Sequence, residues 1–147
     1  MHDPIGAALV LLDMEAPTKG VISTPDIADP RRRTYTVPTM DGRKQNVLAA
    51  AIRDSLFGER LDFITVCARE LPQDAQLLTG LLAIAREFRR ARLCVFDPKR
   101  PQLAVIASFV AEEITEGSGP RLLHALREVA AVGDSLEQQL SGGKDVE

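Results

Sequence analysis

Two aspartates, Asp13 and Asp97, have the strongest claim to chemistry, because each closes an apolar run, residues 7–12 and 93–96. Read as strands of a parallel sheet, both runs deliver their aspartate to the carboxyl edge, where open α/β folds bind ligands. Two carboxylates there, with Glu15 or Lys99 nearby, form a candidate catalytic pair that could hold a divalent cation or act as acid and base. Aspartate also ends strands and starts turns for conformational reasons, particularly before proline, as at Asp97 and Pro98. A second candidate is the turn Asp41, Gly42, Arg43, Lys44, where Arg43 and Lys44 would meet an anion at the N-terminus of an expected helix. Lys99 is the third candidate ligand-binding cation.

Other chemistries find less support. A serine or cysteine nucleophile needs a base within reach, and the two histidines are His2, near the start, and His124, beside the apolar face of the last expected helix. They lack metal-type spacing, so no zinc site is expected. Glycine-rich dinucleotide loops, phosphate-binding loops and nucleophile elbows are absent, so no cofactor is expected. Arg31, Arg32 and Arg33, and the set Arg86, Arg89, Arg90 and Arg92, are candidates for gripping phosphate or an acidic partner. A net charge of −3, with one tyrosine and no tryptophan, makes nucleic acid an improbable ligand. A small phosphorylated ligand stays open. Cys67 and Cys94 sit in apolar stretches without Cys-x-x-Cys spacing, which suits small buried hydrophobes in a reducing compartment. An adjacent-strand disulfide is the alternative.

The elements that must position these groups follow from length and pattern. At 147 residues, 45% apolar and 27% charged, the chain suits one domain over 1–147 with its own core. Residues 7–12 read as a buried strand. Residues 17–39, with Pro17, Pro25, Pro30 and Pro38, read as a proline-rich surface excursion with brief edge strands at 20–23 and 34–37. From Asn46 the spacing of Val47, Leu48, Ala51, Ile52 and Leu56 suggests a helix closed by Gly58. A strand follows at 61–67, and Pro72 opens the clearest helix, with Leu77, Leu78, Leu81, Leu82, Ile84, Ala85 and Phe88 on one broad face. Gly80 lies inside it and suggests close packing against a strand. Residues 92–96 are the next strand, Pro101 opens a helix carrying Leu103, Val105, Ile106, Phe109, Val110 and Ile114, and Pro120 opens the last helix. Residues 141–147 read as a disordered tail. The expected fold class is therefore α/β, a two-layer or three-layer domain with a small mixed or mostly parallel sheet and about four amphipathic helices; mainly α is the alternative.

The order of elements from Thr34 to Glu113 is similar to that of STAS domains of the anti-sigma-factor antagonist type. That family has an Asp-Ser-[Ser/Thr]-Gly turn about where this chain has Asp74, Ala75, Gln76 and Leu77, so the phosphorylatable serine is missing. Residues 8–14 also resemble the first strand of isochorismatase-type hydrolases, whose leading aspartate belongs to an Asp-Lys-Cys triad. Here neither Lys19 nor Cys67 sits in a matching motif.

An ordinary core without a catalytic set, and helix faces broad enough for a partner, point to a non-enzymatic protein–protein interaction or regulatory module, with self-association included. The start lacks a basic leader segment and no stretch reaches the ~20 apolar residues of a membrane span, so the expected address is the cytoplasm. The competing reading is a small hydrolase or phosphate-ligand-binding protein using the acidic sheet edge.

Overall fold

The structure, a computed structural model, describes residues 3–56 and 58–141. It consists of α1 (Pro4–Glu15), β1 (Ile22–Pro25), β2 (Arg32–Pro38), β3 (Lys44–Asp54), β4 (Gly58–Ala68), α2 (Ala75–Ala85), β5 (Arg92–Phe96), β6 (Gln102–Val110) and α3 (Gly119–Ser141), with single-turn helices between some of them. The strands form one sheet in the order β1-β2-β3-β4-β6-β5, and every neighbouring pair is antiparallel. This overturns the expected mostly parallel sheet and the expectation of four helices: among the described residues there are three. The physical reason is the length of the connections. Asp54 pairs with Gly58, and Phe96 pairs with Gln102, so both links are hairpins too short for the crossover that a parallel pair needs.

Three apolar runs therefore change type. Residues 7–12 lie in a helix, not a strand, because Asp3 caps it by accepting from the Gly6 N–H at 3.1 Å and Pro4 supplies a preset first turn. Residues 46–54 and 102–110 are strands where helices were expected. Both bury residues on two faces: Val47, Ala49 and Ala50 in β3, and Leu103, Ala104, Val105, Ala107 and Phe109 in β6. Gly58 has the positive φ (80°) expected of a helix C-cap, but uses it in the hairpin. The proline-rich segment supplies β1 and β2 at one edge of the sheet, near the brief edge strands expected at 20–23 and 34–37. With these changes the element order behind the STAS resemblance no longer holds, and residues 8–14, which resembled a first strand of isochorismatase-type hydrolases, are helical. The expected tail at 142–147 lies outside the described residues.

The core forms mainly on one face of the sheet. Tyr35, Val37, Val47, Ala49, Leu61, Phe63, Val105, Ala107 and Phe109 meet Ile5, Leu9 and Leu12 of α1 and Leu122, Leu126 and Val129 of α3. Phe63 and Phe109 pack edge to face with centroids 6.0 Å apart. Gly133 of α3 lies so close to Thr65 that a Cβ there would collide with its methyl group. Residues of the opposite sheet face, Leu48, Ile52, Val66, Ile106 and Phe96, stay half-exposed outside that core.

Candidate interaction surface

The structure separates the residues singled out for chemistry. Asp13 is near the end of α1, at the β1/β2 edge. Its carboxylate accepts from Tyr35 (2.6 Å), Ser23 (2.8 Å) and Arg33 Nε (3.3 Å). Asp97 sits beyond the opposite edge, in the exposed β5–β6 turn, where it has φ 57° and accepts from the Lys99 N–H at 3.2 Å. No parallel carboxyl edge gathers them. Arg43 grips the Asp134 carboxylate of α3 through Nε and Nη2 at 3.0–3.2 Å, and Lys44 opens a strand, so the helix N-terminus imagined at this turn does not exist. The first arginine cluster is taken up by internal carboxylates: Arg31 binds Glu59 and Asp3, Arg32 pairs with Asp26, and Arg33 with Asp13. His124 is exposed on α3 beside Arg89, Arg121 and Glu128. Among the described residues no group of three or more histidines, cysteines or acids is placed to hold a metal.

Both thiols are free. Cys67 lies on β4 and Cys94 on β5, with β6 between them, so they are not on adjacent strands. Burial pushes the Cys67 thiol up to about 12 and raises Cys94 as well, which removes thiolate nucleophilicity from both near neutral pH.

What the fold leaves unaccounted for is α2. The helix begins where Asp74 accepts from the N–H groups of Gln76 (2.8 Å) and Leu77 (3.2 Å). Its eleven residues include no charge, and Leu81 alone among them is buried. Leu77, Leu82 and Ile84 are 43%, 53% and 47% exposed, and Val95 of the neighbouring edge strand β5 is 52% exposed. A surface helix ordinarily turns charged residues to water. Here Leu81, with half-buried Leu78, Ala85 and Phe88, holds one side, while Gln76, Thr79, Gly80 and Ala83 occupy the other and are all exposed.

The segment after α2 is pinned firmly, so the exposure does not come from a detached element. The Glu128 carboxylate of α3 accepts from the backbone N–H groups of Arg89 (3.1 Å), Arg90 (2.9 Å) and Ala91 (2.6 Å). Burial opposes ionisation of Glu128, yet these three donors outweigh it and hold its pKa below the usual glutamate value. Arg90 stacks over the Phe109 ring, 3.9 Å from its centroid, and reaches Glu113. Of the second arginine set, Arg86 makes no ion pair among the described residues.

No family model matches the chain, and no curated protein matches it in sequence. Among the described residues no helix is long and apolar enough to cross a membrane. The α2 surface was partly readable in advance: the apolar face expected from Leu77 to Phe88 spreads too widely for one core contact. What the sequence did not reveal is that only a narrow strip of it is used internally, because that depends on α2 lying at the sheet margin.

Proposed function

We propose that this chain is a non-enzymatic protein–protein interaction module whose working surface is α2 together with the edge strand β5. One observation carries the reading: an uncharged helix with a single buried residue is held at the sheet margin with three large apolar side chains in water. Large apolar side chains left half-exposed on both flanks of one helix mark a candidate interaction surface. The dispersal of the acidic candidates, the internal pairing of Arg31 to Arg33 and the raised thiols also favour binding over catalysis. A cytoplasmic address suits the two free thiols.

Site-specific photo-crosslinking in cells tests this. A photoreactive side chain at Leu82 should give a discrete cross-linked product, whereas the same group at Thr24, exposed on β1 at the far edge, should not. Equal or absent product at the two positions would remove the reading.

A further inference from the structure

Beyond the α2 surface, we infer that the cavity between the start of α3 and the segment after α2 binds a small organic phosphate, its phosphoryl group held by Arg89 and Arg121. The cavity measures about 360 Å³, within the range of small-ligand sites. Phe109, Pro120 and Ala125 make its lining partly apolar, while Arg89, Arg90 and Arg121 bring three guanidinium groups to it. These cations come from separate parts of the chain. Arg121 stands in the first turn of α3, with His124 one turn on, and Arg89 and Arg90 enter from the link between α2 and β5. The cavity uses no residue of α2 itself, so it stands apart from the interaction surface.

Charge balance singles this cavity out. In a chain of net charge −3, Arg31, Arg32, Arg33, Arg43 and Arg60 each pair with a carboxylate. Arg89 and Arg121 pair with none among the described residues. The carboxylates beside them are engaged elsewhere. Glu128 accepts from three backbone N–H groups, and Glu113 accepts from Arg90 and from the Val110 N–H at 3.0 Å. The Arg90 charge is thus matched inside the fold, whereas those of Arg89 and Arg121 are not.

Both free cations are nevertheless held in place. Arg121 Nη2 donates to the Glu113 carbonyl at 3.0 Å, which steadies the guanidinium without neutralising it and leaves other donors of its fork for a ligand. The Arg89 backbone N–H is fixed on Glu128 at 3.1 Å. Sites ordered before binding lose less on ordering a ligand. Two guanidinium forks suit the several acceptor oxygens of one phosphate better than they suit a single carboxylate. The apolar lining calls for an organic body attached to that phosphate. Glu87 lines the outer continuation of the cavity beside Arg127, which favours the Arg121 side for the phosphoryl group.

The test is an NMR titration of the whole purified chain with phenyl phosphate, inorganic phosphate and benzoate. Phenyl phosphate should shift the amide signals of residues 89–91 and 121–128 saturably, with a Kd of about 1 mM or tighter. Inorganic phosphate lacks the ring and benzoate lacks the phosphoryl group, so each should bind roughly tenfold more weakly. Arg89 and Arg121 are exposed, so Arg89→Ala and Arg121→Ala should both fold, and each should raise the Kd for phenyl phosphate roughly tenfold. Arg100→Ala, in the exposed β5–β6 turn, should leave it unchanged. Shifts that do not saturate overturn the inference, as does equal affinity for the three probes. So does an Arg100→Ala variant that weakens binding as much as the other two.

Discussion

Tyr35 donates its phenolic hydrogen to Oδ1 of Asp13 at 2.6 Å, fastening the end of α1 to the second strand of the sheet. Ser23 and Arg33 converge on the same carboxylate. Burial, reinforced by the Asp13 charge, holds the phenol above its ordinary titration range, so Tyr35 remains a donor at every physiological pH. The residue that looked most catalytic in the sequence is an anchor.

Removing that anchor should cost stability. Tyr35→Phe deletes a 2.6 Å bond to a charged acceptor and should destabilise the fold by roughly 1–3 kcal/mol. Urea unfolding measures it directly. An unchanged midpoint would mean that the Tyr35 hydroxyl contributes nothing to fastening α1.

Neighbouring leucines on α2 should behave in opposite ways. Leu81, at 2% exposure, should cost roughly 2–5 kcal/mol when replaced by alanine. Leu82→Ala, at 53% exposure, should change the stability of the monomer by less than about 0.5 kcal/mol. Thermal melts of the two variants at low protein concentration make the comparison. A large loss from Leu82→Ala would show that α2 is turned otherwise.

Acid should loosen the loop that joins α2 to β5. The Glu128 pKa is lowered in the folded state and ordinary in the unfolded one, so its contribution is fully present above the ordinary glutamate value. It is lost as pH falls through the lowered folded value. Amide exchange at residues 89–91 should accelerate relative to the β4 amides over that interval, and Glu128→Gln should remove the difference. Parallel acceleration of both sets would contradict the assignment.

Elements with a clear compositional signal were legible in the sequence, even β4, which is buried on both faces. β4 and β5 announced themselves through β-branched and aromatic residues, α2 and α3 through broad apolar stripes after Pro72 and Pro120. The failures share a cause. In β3 and β6, successive residues such as Ala49 and Ala50, or Leu103, Ala104 and Val105, are all buried, so neither helical nor alternating spacing stands out. For β6 a local signal was available: five residues separate Phe96 from Gln102, a hairpin length between two β-rich runs. For α1 the pair Asp3 and Pro4 was the usable cue, outweighed by an apolar run that fits a strand equally well. The candidate surface was legible as hydrophobicity but not as exposure, because nothing within residues 75–85 records how much of the helix the rest of the chain covers.

The strand order has a consequence for how quickly the chain folds. Pairs β1–β2, β2–β3, β3–β4 and β5–β6 join neighbours in sequence, while β4–β6 alone closes across α2 and β5. Local hairpins nucleate cheaply, whereas a long-range pairing must first overcome the entropy of closing its loop. The expected rate-limiting event is thus the docking of two preformed hairpin units along β4 and β6, where Phe63 and Phe109 meet across the seam. Substitutions at the seam should slow refolding, and those in β1 should chiefly hasten unfolding.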